Sequence, residues 1–600
     1  MFVSLRAMLV RLAATLGIAA FLAVPARADQ KFIAAVFHFN VQYVAGGLEG
    51  FLPLGLEQVF PGWELNHEEV EDMIIVESFE PVVDLYLRHP GWGVDLELQG
   101  RFIEILAERH PLILNKLIAL VERGDASVVS FHYSDQLFIG YPAPAWERSV
   151  GLTKQVFEDV GVELSTTVFC QEGQAGTGMA RAMEEHGYEM MVWPKNLWRY
   201  QHGDLPADPV YEFGDLLMVQ GSKGVNYNSG ELRLEWSFLG DGELLATCDL
   251  DPYFPPLFKA NDACIAEYED NLEDLEADGW DIAKVEEYAQ AALDLLGAPV
   301  EPPPLFDGTW QPDSTNGPYK WLGGAGIWRP QERDNHVRTL GEIAYREVMA
   351  AETAAEAAGL DVADKLRDAW RILSLGLVTD GTGINPYQGE VLYAVGHLAE
   401  AARIARDIID AAKLELDLPE ARIDTAAGTV TSSPDKTDIP PADEPPFEIH
   451  VKSKHRAVTE EWFVYSEDPP KYRVDLTVEA ARGGVLAVVF PGDKESVTFT
   501  PALMDDTLVT YDLDDFVFER WPMPLPNGLI SLADGWFLVK DMAYTHVAAF
   551  ISTVKDDVVF RDDTITQDSQ FTWRFYALKT DADTALAFAN ALNVYPTLDR

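Results

Sequence analysis

Apolar runs and helical repeats alternate along the first half of the chain. Short runs at Phe32–Phe37, Met73–Val76, Ser127–His132, Ser165–Phe169, Glu189–Trp193, Leu216–Gln220, Leu244–Cys248 and Leu305–Thr309 predict strands. Between them Leu98–Glu108, Leu112–Arg123 and Lys284–Leu296 predict helices. Such alternation reads as a parallel α/β domain, and roughly seven or eight units favour a closed (β/α)7-type barrel over an open sheet. No Gly-rich phosphate loop follows the first strand, so nothing points to a nucleotide.

The pattern then changes twice. Val337, Leu340, Ile343, Ala344 and Val348 recur at helical steps, as do Leu366, Ala369, Trp370 and Leu373, and then Val391, Val395, Leu398 and Ala402. Each set marks one apolar helix face, and the three predict an antiparallel bundle. A Pro-, Asp-, Thr- and Ser-rich stretch follows, and beyond Phe447 short alternating runs predict an antiparallel β-sandwich with a last amphipathic helix near Thr584–Leu592. The expected organisation is a barrel over 29–328, a bundle over 329–416, a linker over 417–446 and the sandwich over 447–600. Trp521 and Trp536 in the sandwich are either sugar platforms or core.

The first 28 residues stand apart. Arg6 and Arg11 precede an apolar run from Leu12 to Val24, and Ala26-Arg27-Ala28 is a small-residue cleavage site. A signal peptide is expected, with an exported mature chain from about Asp29. Its loss takes the formal charge from −53 to about −56, which repels nucleic acid and anionic lipid and suits a neutral or cationic substrate. No later segment is apolar for long enough to predict a membrane span. Cys170, Cys248 and Cys264 are an odd number without metal-type spacing, so free buried thiols are expected, with one pair as the alternative. Oligomeric state is not legible.

Candidate chemistry gathers where barrel strands end. The first strand gives His38-Phe39-Asn40 and the third gives His132, Ser134 and Asp135. A middle strand runs through Phe169-Cys170-Gln171 into Glu172 and a Gly-rich turn. Trp193 and Lys195 follow, then Asp249 and Asp251 in Cys248-Asp249-Leu250-Asp251-Pro252-Tyr253-Phe254, and finally Asp307 and Trp310. Acids, imidazoles and indoles converging on one crevice suit a sugar, whose hydroxyls bond carboxylates and whose rings stack on indole. Each also has a plainer reading: His38 and His132 as hydrogen-bonded core, the tryptophans as packing, Asp380 as an inter-helix turn. The acidic run Glu267–Asp278 is a solvated helix face.

This constellation resembles glycoside hydrolase family 57 and, more distantly, the family 38 α-mannosidases, over roughly residues 30–415. Val36-Phe37-His38-Phe39-Asn40-Val41-Gln42-Tyr43 is similar to that family's first His motif, and Glu172 ends a middle strand as its nucleophile does. Asp249-Leu250-Asp251-Pro252-Tyr253-Phe254 is similar to its acid/base motif, with Asp251 and Phe254 replacing the usual Glu and Gly. Trp370–Asp380 lies where the bundle Asp belongs. The resemblance implies a retaining glycoside hydrolase or transglycosylase on an α-linked oligo- or polysaccharide, with Glu172 as nucleophile and Asp249 as acid/base. Asp251 is the rival acid. His38, Asn40, His132, Asp135, Trp193, Asp251, Trp310 and Asp380 would line the sugar site, without cofactor or metal. Two other functions stay open: a non-catalytic glycan-binding protein on a degenerate barrel, and a metal-dependent deacetylase or zinc-mannosidase-like enzyme, where His38, Asp135 and His132 would hold the ion.

Overall fold

The computed structural model describes residues 31–41, 67–203, 208–221, 224–228, 232–238, 262–309, 334–381, 388–433, 438–545, 547–562 and 569–600. The first strands are β1 (Lys31–Phe39), β2 (Val94–Leu98), β3 (Ala126–Val128), β4 (Thr167–Phe169) and β5 (Met190–Pro194). They continue with β6 (Val210–Phe213), β7 (Leu216–Gly221), β8 (Gly224–Asn228), β9 (Leu232–Phe238) and β10 (Trp280–Ala283). β9, β1, β2 and β3 are parallel neighbours, as are β4, β5 and β7. Backbone bonds join the two sets, with Ser165 N–H donating to the Val128 carbonyl at 2.9 Å and Phe169 N–H to that of Val129 at 3.0 Å. The parallel order is therefore β9-β1-β2-β3-β4-β5-β7, and Cα atoms of β7 come within 8 Å of β9.

Both faces of these strands are covered, which is why β1 reads as a nearly unbroken apolar run. Phe37, Phe39, Leu96 and Leu98 pack in one buried cluster with Phe79, Val83, Phe102 and Leu117 of the surrounding helices. The register sets His38 beside Glu97, and parallel neighbours in register share a face, so both side chains turn away from that cluster.

The structure redraws several expected elements. Met73–Val76 is helical, within His67–Ile74 and the π-turn Ile75–Phe79, because Ile74, Ile75, Phe79, Val82 and Val83 bury one side of a continuous helical segment. Leu98 ends a strand, and its helix starts at Gly100. Residues 305–309 form no strand ladder; Gly308 instead exchanges backbone bonds of 2.9 and 3.0 Å with Ala175. Leu244–Cys248 lies outside the described residues.

Three helices follow, Asp334–Ala358, Ala363–Gly376 and Gln388–Glu415, with Val337, Ala344, Val348, Ala369, Leu373, Val391, Leu398 and Ala402 in one buried cluster. Gly376 sits 2.7 Å, at the position of a Cβ, from the Leu398 side chain, so the last two helices meet through it. The Pro-rich stretch expected as a linker holds strands β11 (Ala421–Asp424) and β12 (Thr429–Ser432), and β11 also pairs with a C-terminal strand at Thr597–Asp599.

The C-terminal strands are β13 (His450–Glu467), β14 (Pro470–Pro491), β15 (Ser496–Phe499), β16 (Val509–Asp512) and β17 (Arg520–Met523). After them come β18 (Leu529–Ser531), β19 (Phe537–Lys540), β20 (Ala549–Ser552), β21 (Asp557–Asp562) and β22 (Ser569–Leu578). They form one ten-stranded antiparallel sheet, not two separate sheets. The reason is β14, which pairs with β22 along its first part and with β21 along its second. This region is sewn to the rest. A Cβ on Gly178 would stand 2.0 Å from the Ala502 carbonyl oxygen, so the first turn of the helix Thr177–Glu185 needs glycine for close approach. Ala502 N–H donates to the Asp307 carboxylate at 2.9 Å, and Trp521 Nε1–H to the Asp307 carbonyl at 3.0 Å. Trp521 is thus core and no platform, while Trp536 is half-buried. Buried Arg338 donates to the Gly140 and Pro524 carbonyls at 2.6 and 3.2 Å, tying bundle to both neighbours. Among the described residues no helix is long and apolar enough to cross a membrane.

Candidate active site

Four elements deliver one buried polar cluster. β1 supplies His38 and β2 supplies Glu97, aligned by register. The segment after β3 supplies His132 and Asp135, and the turn after β4 supplies Glu172. Glu97 is the hub: His38 Nδ1 hydrogen-bonds to its Oε2, and its Oε1 lies 2.8 Å from His132 Nε2. Asp135 stands 3.6 Å from His132 and 4.0 Å from His38, and accepts a 2.9 Å hydrogen bond from Gln99 Nε2.

Burial disfavours every charge here, so the charges persist only by pairing. Desolvation pushes His38 down, but Glu97, Asp135 and Glu172 outweigh it and raise the imidazole to about 9. His132 is likewise raised to about 9 against its burial, by Glu97 and Asp135. Burial opposes the Glu97 charge, yet the two imidazoles hold its carboxyl down at about 2. Asp135 goes up, because burial exceeds what the imidazoles give back. Cys170 carries no disulfide, and burial pushes its thiol up.

Glu172 occupies an unusual backbone position. It sits in the short turn Gln171–Gly173 with φ 57° and ψ 16°, a left-handed conformation rare for a side chain of its size. The turn is held from both sides. Gln174 Nε2 donates to the Gln136 and Gln171 carbonyls at 2.8 and 3.0 Å, and Gly173 N–H donates to the Cys170 carbonyl at 2.8 Å. Gln171 Nε2 donates to Thr379 Oγ at 3.0 Å, while Thr379 N–H donates to the Asp135 carbonyl at 2.8 Å. The bundle turn Thr379–Gly381 therefore touches both the Glu172 loop and the Asp135 loop, which brings the backbone of Asp380 to the site.

Of the residues singled out in the sequence, His38, His132, Asp135 and Glu172 come together, and Asn40 is buried at the end of β1. Trp193 does not face a cleft: it is 2 % exposed and packs edge-on to Trp198 at 6.3 Å between ring centres. Asp249, Asp251, Trp310 and the Asp380 side chain lie outside the described residues. Glu97, Gln99, Gln171 and Thr379 were not anticipated. For Glu97 the signal existed: Val94-Asp95-Leu96-Glu97-Leu98 alternates with period two, the mark of a strand with one polar face.

The donor set also bears on metal binding. Ligand-capable atoms of His38, Glu97 and Asp135 lie within 4.8 Å of one another, so Glu97 takes the third place expected for His132. One imidazole and two carboxylates suit a divalent ion by donor type, provided that His38 gives up its proton.

No protein-family model matches the chain, and no curated protein matches its sequence. Its structure is similar to that of an alpha-mannosidase from Enterococcus faecalis V583, at TM-score 0.58 and 10 % identity over 95 % of this chain and 90 % of that one. A protein in the glycosyl hydrolase family 38, also from Enterococcus faecalis, gives TM-score 0.54 and 10 % identity over 96 % of this chain and 89 % of that one. A GH57-type branching enzyme from Pyrococcus horikoshii gives TM-score 0.42 and 11 % identity, over 64 % of this chain and 88 % of its own. The two Enterococcus faecalis likenesses run through the C-terminal third, where the sequence resemblance was expected to stop. The chain shares the overall fold of the two Enterococcus faecalis structures.

Proposed function

We propose that this protein is an exported retaining glycoside hydrolase or transglycosylase acting on an α-linked oligo- or polysaccharide, with Glu172 as its nucleophile. The observation that carries the reading is Glu172 itself, held in a left-handed turn at the end of β4 beside a His–Glu–His–Asp ion-pair cluster. Such strain persists only where the surroundings over-determine it, and it concentrates at working sites. In the proposed reaction a Glu172 carboxylate oxygen bonds to the anomeric carbon as the glycosidic C–O bond breaks. The leaving oxygen takes a proton from Asp249, with Asp251 as the alternative donor. The same group then removes a proton from the incoming water or sugar hydroxyl, whose oxygen displaces Glu172 and restores the enzyme. His38 and His132, held as cations by Glu97, would donate to sugar hydroxyls.

The test is Glu172→Gln assayed on α-mannosides, α-glucosides and α-glucans that the wild type cleaves. Turnover should fall by orders of magnitude while folding is retained; unchanged turnover overturns the assignment. If the wild type binds these glycans but turns none over, the non-catalytic reading holds instead.

The clustering of His38, Glu97 and Asp135 favours one second reading, a metal-dependent hydrolase at the same place. Those three residues would hold the ion, which would supply Lewis-acid polarisation of a substrate oxygen. Metal content of the purified protein, with activity before and after chelation, separates the two.

A further inference from the structure

The outer face of the C-terminal sheet carries a groove of about 350 Å³, remote in sequence from His38, Glu97, His132, Asp135 and Glu172. The registers show how it is built. Lys452 and Lys454 of β13 stand opposite Ala487 and Val485 of β14, and Ala487 stands opposite Arg561 of β21. Residues in register share a face, so an aliphatic floor of Val485, Ala487, Val489 and Val559 is flanked by cations on both sides. Arg520 of β17 and Lys555 in the turn before β21 complete the rim. Asp557 is the one acid among the described residues lining the groove, and it lies 3.6 Å from Arg520.

Five cations on one face are unexpected here, because the chain has 98 acidic residues against 45 basic ones. At many other basic residues that excess is used. Arg88, Arg109, Lys116, Arg371, Arg403 and Arg574 each meet a carboxylate within 3 Å. Lys452, Lys454 and Lys555 make no ion pair among the described residues. Lysines on an exposed edge strand do guard against sheet-to-sheet pairing, and that explanation suits β13. It does not reach Arg561, on a strand flanked by β14 and β20, nor Lys555 in a turn.

We infer that this groove is a binding site for an acidic glycan, a chain bearing carboxylate or sulfate groups on its sugars. Spacing and chemistry select that class. Lys452 and Lys454 are two residues apart on a strand, about 7 Å, and Lys452 and Arg561 are two strand spacings apart, about 10 Å. Anions spread one per sugar or per second sugar match this sparse array. Nucleic acid, with one charge per about 1.7 Å of duplex, would carry many more anions past the groove and onto the acidic surface around it. No aromatic ring among the described residues lines the groove, so stacking on a neutral sugar is not its mode of recognition. The choice of a glycan over other sparse polyanions rests on the glycosidase reading; the groove itself does not.

The experiment is calorimetric titration of the full chain with oligogalacturonate, with a neutral malto-oligosaccharide and a single-stranded DNA oligomer as comparison ligands. Wild-type protein and Glu172→Gln should bind oligogalacturonate equally, and added salt should weaken the binding. The double variant Lys452→Glu with Lys454→Glu should lose at least tenfold in affinity at unchanged melting temperature. Arg561→Gln, one charge on the opposite rim, should lose several-fold and guards against a misfolded double variant. Absent binding by the wild type, equal binding by the rim variants, or tighter binding of the DNA each overturns the proposal. Loss of turnover in Glu172→Gln with groove binding intact keeps the two readings apart.

Discussion

Asp307→Asn is expected to stabilise the protein above neutral pH and to do almost nothing in acid. Asp307 is 1 % exposed at the joint between the first domain and the C-terminal sheet, and burial raises its carboxyl from 3.8 to about 7, partly countered by the Ala502 N–H. Its other oxygen, Oδ1, has no partner among the described residues. The folded protein therefore keeps this proton over a range where the unfolded chain has already released it. A raised carboxyl favours folding fully below 3.8, and that advantage is lost as pH climbs to about 7. The interval is some three pH units, which at about 1.4 kcal/mol each is a penalty of about 4 kcal/mol above neutrality. Asn keeps the shape and an oxygen for the Ala502 N–H, but it cannot ionise. Chemical unfolding of both proteins at about pH 4 and about pH 8 should show a stability difference growing from near zero to about 4 kcal/mol in favour of Asn. A pH-independent difference, or a less stable variant at the higher pH, refutes the reasoning.

Two more substitutions test the site and the joint. Glu97→Gln leaves two buried imidazoles facing a neutral amide, so it should cost about 3–5 kcal/mol in unfolding experiments and depress the proposed glycosidase turnover; undiminished stability would show that the ion-pair cluster is not what holds these strand ends. Gly178→Ala drives a methyl into the Ala502 carbonyl and should cost about 1–3 kcal/mol. Gly151→Ala, with nothing within 4 Å, is the matched control and should be neutral or stabilising by thermal melting.

The strand ends with strong local pattern were readable from sequence. β1, β4, β5 and β7 fall where apolar runs placed them, and His38, His132, Asp135 and Glu172 converge as strand-end logic implies. Glu97 was hidden because Leu98 also fits the apolar repeat of the next helix, and the shared residue hides the boundary. Met73–Val76 misled for the opposite reason: a β-branched apolar run looks like a strand until Phe79, Val82 and Val83 extend it at helical spacing. Trp193 and Trp521 could not be assigned from sequence at all, since an indole that stacks on a sugar and one that fills a core carry the same signal. The 208-residue separation between Gln171 and Thr379 is a contact that only the fold can reveal.

The stitching of the three regions bears on how this protein can be cut. The Glu172 loop leans on Thr379 of the bundle, and the loop that pairs with Ala175 through Gly308 is anchored at Asp307 by Ala502 and Trp521 of the C-terminal sheet. Modular enzymes tolerate excision of an accessory unit because few contacts cross its boundary. Here one crossing contact ends on Gln171, next to the proposed nucleophile, and others end on Asp307, beside the Gly308 that pairs with Ala175. Expression of residues 29–328 by themselves would bare the surfaces that Gly178 and Trp521 now seal and release the turn that strains Glu172. The shortest piece expected to keep that turn is the assembly of all three regions, and chimeras should be joined elsewhere than at its apparent domain borders.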